Sequence, residues 1–223
     1  MNKKIIVIAP HPDDETLGVG GTLLRHKMEG DEIAWLIMTN ISTKEGWGRE
    51  RVNIRQSEIE KVSNKYNFDA TYKLDFPTTR LDQIPISIMV ESVSKVILSF
   101  QPDTVYLPNR SDIHSDHRIT FNVAMACTKT FRFPSISRIL MYETISETEF
   151  IPAISEGQFT PNTFVDISDY MEKKIDIMKV YSSEMMDYPQ PRSVTTIQSL
   201  ARVRGSRISK QAAEAFQLIF DCS

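Results

Sequence analysis

The chain has 223 residues, 41% of them hydrophobic and 25% charged, the make-up of a globular protein able to bury a sizeable core. A net charge of -3 provides no basic surface for nucleic acid or an anionic membrane. The apolar stretch after Lys4 is broken by Pro10 and His11, too short for a signal-peptide core, and no later segment reaches membrane-spanning length.

In chain order, residues 5–9 (IIVIA) read as a buried β-strand. Pro12 forbids a longer ladder, so the cluster Pro10-His11-Pro12-Asp13-Asp14-Glu15 is expected in a loop at the strand's carboxyl end. A glycine-rich segment, 18–27, opens a helix that Gly30 stops. Residues 32–39 form a second strand, 40–49 a polar loop holding Trp47 between two glycines, and 50–66 a charged helix. Strands are expected at 70–74, 104–107 and 138–143, and helices at 86–99, 117–130, 168–181 and 209–220. The stretch 182–192, with two prolines, is expected to be a mobile loop. This alternation implies an α/β, Rossmann-like fold, with a mostly parallel central sheet and helices on both faces. No repeat or linker divides the chain, so residues 1–223 are expected to form one domain. Cys127 falls in an apolar helical pattern and Cys222 is nearly terminal; no disulfide is expected, which suits a reducing cytoplasm.

The chemistry concentrates in two segments. An imidazole and two carboxylates crowd residues 11–14, and adjacent acids repel unless a cation holds them. Two of the other three histidines fall in 112–117 (Asp-Ile-His-Ser-Asp-His), which also follows a strand. In open α/β sheets both loops reach the same ligand-binding rim. A catalytic zinc site takes about three nitrogen or oxygen ligands and keeps one position open. His11, one of Asp13 and Asp14, and one of His114 and His117 would supply them. Taken singly, each has a plainer reading: His11 in a turn, Asp116 as a helix N-cap, His114 on the surface. A phosphoacceptor receiver domain would also place two aspartates after its first strand, with Asp75 as acceptor. It has no use for three histidines at the rim.

Pro10-His11-Pro12-Asp13-Asp14-Glu15 together with Asp112-x-His114-x-Asp116-His117 resembles the PIG-L/LmbE family of zinc-dependent N-deacetylases. Arg55-x-x-Glu58, Phe76-Pro77, Arg204-Gly205 and Ala213-Glu214-Ala215-Phe216 extend the resemblance along the chain. It departs from the family pattern at Thr78-Thr79, Ser209 and Ala212, which bear on substrate rather than reaction. The resemblance implies that His11, Asp14 and His117 bind zinc and that Asp13 is the general base for water. It also implies that His114 stabilises the tetrahedral intermediate or protonates the leaving amine, and that Asp116 orients His114. Arg55 and Trp47 are candidate substrate contacts. The plainer readings are an ion pair with Glu58 for Arg55 and a folded-down loop residue for Trp47. The implied substrate is an N-acetylated amino sugar or its conjugate, with a homo-oligomer as the implied assembly. The competing reading is a catalytically silent, metal-containing sugar-binding or scaffold protein of the same fold.

Overall fold

The computed structural model describes residues 2–153 and 157–222. Its seven strands are β1 (Lys4–Ala9), β2 (Glu32–Asn40), β3 (Ala70–Pro77), β4 (Thr104–Pro108), β5 (Arg138–Tyr142), β6 (Thr163–Asp166) and β7 (Ala213–Asp221). They form one sheet in the order β3-β2-β1-β4-β5-β7-β6. The first five strands are parallel, and β7 runs antiparallel to both β5 and β6. Six helices join or flank them: α1 (Asp14–Met28), α2 (Arg49–Tyr66), α3 (Ile86–Phe100), α4 (Ser115–Ala126), α5 (Met171–Met178) and α6 (Val194–Ser206).

The pleat explains the two-sided core. Alternate β1 residues face opposite ways. Ile5, Val7 and Ala9 pack with α1, α2 and α5 residues such as Leu23, Val62 and Ile175. Ile6 and Ile8 pack on the other face with Val93 and Ile97 of α3 and Val123 of α4. Cys127 is buried there, and both cysteines are free. Among the described residues no helix is long and apolar enough to cross a membrane.

Strand order reverses at β1, which pairs with β2 on one side and β4 on the other. Such a switch point leaves a crevice beyond the strands' carboxyl ends. The segments after β1 and β4 open into it, and they carry residues 11–14 and 112–117.

Several elements differ from expectation. Helix α1 begins at Asp14 rather than Gly18, so Asp14 and Glu15 lie in its first turn, where the helix dipole favours acids. Asp75 lies inside β3, at a register irregularity with φ 52°, and its carboxylate accepts from Asn40 Nδ2 at 2.9 Å. The expected helix at 209–220 is instead β7. Its alanines and glutamate carry helix propensity, but tertiary pairing with β5 and β6 outweighs it. Strand β6 and helix α6 were not anticipated, α4 stops at Ala126, and the expected helix at 168–181 shortens to a 3₁₀ turn followed by α5.

Candidate active site

Three groups converge from β1's end, α1 and α4. Asp14 Oδ2 lies 3.3 Å from His11 Nδ1 and 3.3 Å from His117 Nε2. The second nitrogen of each imidazole faces another carboxylate: His11 Nε2 lies 3.1 Å from Asp116 Oδ2, and His117 Nδ1 lies 2.9 Å from Asp112 Oδ2. A carboxylate behind each histidine is the support that metal-binding imidazoles require. Asp14 Oδ1 is buried without a hydrogen-bond partner. A buried carboxylate with one orphaned oxygen and the other facing two imidazole nitrogens, with ligand atoms all within 4.8 Å of one another, fits a divalent cation. His11, His114 and Asp116 form a second such group, sharing His11, and His26, Glu29 and Asp31 form a third. In the third, His26 is already paired to Asp31 at 2.7 Å and to Tyr106 at 3.0 Å.

Charge distribution follows from burial and pairing. Burial disfavours the protonated form of His11, but Asp116 and Asp14 outweigh it and raise the pKa to about 9. His117 is likewise opposed by burial and raised to about 10 by Asp14 and Asp112. Burial opposes ionisation of Asp14, yet His117 and His11 hold its carboxyl well below the usual range.

Asp13 precedes α1 with φ 135°, a conformation that L residues rarely adopt. Its amide donates to Glu15 Oε2 at 3.0 Å, and Glu15 is held in turn by Tyr181 Oη at 2.9 Å. Arg192 Nη1 donates to Asp13 Oδ2 at 2.7 Å, while Asp13 Oδ1 is buried and unpartnered. Burial raises the Asp13 pKa to about 6 against the pull of Arg192.

His114 is the N-cap of α4, and its Nδ1 accepts from the Asp116 amide at 3.1 Å. The neutral ring therefore carries its proton on Nε2. Burial and the neighbouring imidazoles lower its pKa to about 4. The Asp116 carboxylate lies within 4.8 Å of a His114 ring nitrogen, but its hydrogen bonds go elsewhere. It accepts from the amides of Thr79 at 2.7 Å and Leu81 at 3.3 Å, and it faces His11. The divergent Thr78-Thr79 pair thus both lines the site and braces Asp116.

His11, Asp13, His114 and Thr78-Thr79 line a cavity of about 230 Å³ that also includes Trp47, Arg51, Arg55, Glu147, Glu184 and Arg192, while Asp14, Asp116 and His117 are buried beside His11 and do not line it. Trp47 is 43% exposed at its edge. Arg55 is buried: its Nη1 donates to Pro12 O at 3.0 Å, its Nη2 to Glu184, and its Nε lies 3.4 Å from Glu58. Arg55 therefore lines the cavity and also makes the Glu58 pair. Of the eight residues singled out from sequence, His11, Asp13, Trp47, Arg55 and His114 line the cavity, and Asp14, Asp116 and His117 lie buried against His11 and one another. Arg192, Glu184, Glu147 and the role of Asp112 were missed. The stretch expected to be mobile carries Glu184 and Arg192 and is tied to the site through both. Nothing local in Pro191-Arg192-Ser193 signals this; only tertiary folding brings Arg192 to Asp13.

A switch-point crevice lined by paired histidines and carboxylates defines the class: a Rossmann-like α/β protein with a metal-type site at the sheet's carboxyl edge. The PIG-L family model, described as GlcNAc-PI de-N-acetylase, matches residues 6–128, and the chain belongs to that family. The diacetylchitobiose deacetylase of Thermococcus kodakarensis is 27% identical over 190 residues, covering 82% of this chain and 70% of that protein. The solved N,N'-diacetylchitobiose deacetylase of Pyrococcus horikoshii superposes with a TM-score of 0.78 at 25% identity, covering 97% of this chain and 84% of that one. The conserved protein TT1542 of Thermus thermophilus shares the fold, with a TM-score of 0.80 at 24% identity over 99% of this chain and 96% of that one.

Proposed function

We propose that the chain is a zinc-dependent N-deacetylase that hydrolyses the acetamide of an N-acetylated amino sugar of the GlcNAc type, or its conjugate, to acetate and a free amine. The observation that carries the reading is the bare Asp13 Oδ1, buried at the cavity beside the His11–Asp14–His117 group. The names borne by the relatives, both deacetylases of an N-acetylated sugar, support the substrate class.

In this reading His11, Asp14 and His117 hold the ion, with Asp116 and Asp112 behind the two imidazoles. A bound divalent cation supplies Lewis acidity for the amide carbonyl and makes water acidic enough for use near neutral pH. Asp13 takes the proton from the attacking water through Oδ1 and returns it to the departing nitrogen. His114 donates its Nε2 proton as a hydrogen bond to the carbonyl oxygen as negative charge gathers there. Being neutral, it stabilises that charge without competing with the cation for the site. Arg55 and Trp47 contact the sugar, Trp47 by stacking on an apolar face.

The test is release of acetate and free amine from a panel of N-acetyl sugars, with zinc and after chelation. His11→Ala, Asp14→Ala and His117→Ala are expected to lose metal. Asp13→Asn is expected to keep it and to lose about 10²- to 10⁴-fold in turnover. No acetate from any member of the panel, or a fully active Asp13→Asn, overturns the reading.

A further inference from the structure

We propose that Arg192 is a positioning residue for this reaction: it grips one oxygen of Asp13 so that the other is presented to the attacking water. The inference rests on the deacetylase reading and adds to it a residue from outside the two histidine segments.

A carboxylate at the end of a short side chain turns readily about its last torsion, which is broad and two-fold. Asp13 also sits next to Asp14, whose charge repels it. Left alone, Asp13 would offer either oxygen in any of several directions. Arg192 removes that freedom. Its Nη1 donates to Asp13 Oδ2 at 2.7 Å and lies 3.3 Å from Glu184 Oε2. Its Nε donates to Ser146 Oγ at 2.8 Å, and Nη2 lies 4.0 Å from Glu147 Oε1. These partners come from three separate segments: the turn before α1, the turn after β5 and the turn after α5. The guanidinium is therefore fixed in its own plane before it fixes Asp13. Its side chain is only 16% exposed.

The main chain reinforces the arrangement. Met186 N donates to Arg192 O at 3.2 Å, and Ser193 caps α6 through its bond from Thr196 N at 3.1 Å. Arg192 thus sits between a closed loop and a helix start. Glu184 joins it to α2, since the same carboxylate pairs with Arg51 at 3.1 Å and with Arg55. A planar fork can serve Asp13 and Ser146 together, whereas a lysine ammonium is a point charge that reaches one partner at a time.

A loop staple of purely structural value would lower stability and leave kcat intact. A positioning residue lowers kcat and leaves the fold and the metal intact. The experiment uses the full-length, zinc-loaded chain and compares Arg192→Met, Arg192→Lys, Asp13→Asn and the double variant Asp13→Asn/Arg192→Met. The readouts are kcat, KM, zinc content and thermal midpoint. Arg192→Met is expected to lose about 10²-fold in kcat with KM within about threefold, zinc content unchanged, and part of the rate restored by added guanidinium. Arg192→Lys is expected to lie between Arg192→Met and the wild type. In the Asp13→Asn background, removing Arg192 is expected to cost nothing more, because it acts through Asp13.

The inference is overturned if kcat of Arg192→Met stays within about threefold of wild type, if the loss falls in KM alone, or if the double variant drops by the full product of the single losses. Should Arg192→Met fail to fold, Arg192→Lys decides by the same kcat-against-KM split. A wild type that releases no acetate overturns the deacetylase reading and this inference with it. An active wild type with an unaffected Arg192→Met overturns this inference alone.

Discussion

The Asp116 carboxylate faces His11 Nε2 at 3.1 Å, while it is the main-chain amide of Asp116 that holds His114. Asp116 thus mirrors Asp112, which lies 2.9 Å from His117 Nδ1. The resemblance pairs Asp116 with His114; the geometry places its charge behind a candidate metal ligand instead. Asp116→Asn keeps an acceptor for the Thr79 amide but loses the charge on His11. Zinc affinity is expected to fall about 10- to 100-fold. Competition with a chromophoric chelator measures it. An unchanged affinity with a reduced kcat would return Asp116 to the role of orienting His114.

Zinc binding should be steeply pH-dependent. Without metal, His11 and His117 titrate at about 9 and about 10, so both carry protons at neutral pH. A cation binds the neutral imidazoles, and its uptake near pH 7 should expel on the order of two protons. Affinity therefore rises with pH until both imidazoles are neutral, through about 9 to 10. Calorimetry in buffers of different ionisation enthalpy counts the protons. The same shifts set the stability of the metal-free protein. Because both folded pKa values lie above the unfolded value near 6.5, their contribution is complete below about pH 6.5 and is lost as pH rises through 9 to 10. Asp14 acts oppositely: its lowered pKa contributes stability above about pH 4 that is lost in acid. Thermal midpoints of the metal-free chain should accordingly fall on both sides of neutrality.

What could be read from sequence divides along physical lines. β1, β2 and β4 are short apolar runs bounded by breakers, and burial on both faces leaves them no other state. The cluster of His11, Asp14 and His117 was legible because each of its two segments packs imidazoles and carboxylates within a few residues, a pattern with few uses outside ion binding or catalysis. Arg192 was not, since an arginine after a proline has many uses and its partner lies 179 positions away. The C-terminal segment misled because its composition suits a helix, while its state is decided by the open edge of β5. The segment 213–216, Ala-Glu-Ala-Phe, has a packing explanation that local pattern conceals. Glu214, buried on β7, accepts from the amides of Gly21 and Thr22 at 2.8 Å each and from Lys174 Nζ at 2.6 Å. Glycine at position 21 leaves no side chain on that face; a Cβ there would come within 2.7 Å of Ile167.

This buried pair makes a stability prediction. Lys174 Nζ also donates to Leu17 O at 2.8 Å, so α1, α5 and β7 meet at one ion pair. Truncating Glu214 to Ala strands the ammonium and removes the acceptor of two helix amides. Breaking a buried pair from one side costs about 3 to 5 kcal/mol. Urea denaturation of Glu214→Ala should show a loss of that size. Because α1 begins with Asp14, zinc affinity should weaken in the same variant. A loss within about 0.5 kcal/mol, the range of an ordinary surface substitution, would mean that water enters and replaces the pair.

Trp47 offers the cleanest separation of binding from chemistry. It stands between Gly46, at φ 90°, and Gly48, and a Cβ on either glycine would meet nothing within 4 Å. Its ring edges the cavity, yet none of the site's hydrogen bonds or ion pairs involves it. Trp47→Ala should therefore leave the fold within about 0.5 kcal/mol of wild type. If the indole stacks on the sugar in both the ground and transition states, its loss is uniform binding energy. KM then rises about tenfold with kcat unchanged. A monosaccharide and a longer conjugate should be compared, since a residue at the cavity mouth touches the part of the substrate farthest from the acetamide. An unchanged KM for both would make Trp47 a loop residue with no part in recognition. A fall in kcat instead would mean that the 40–48 loop orders the catalytic groups rather than the sugar.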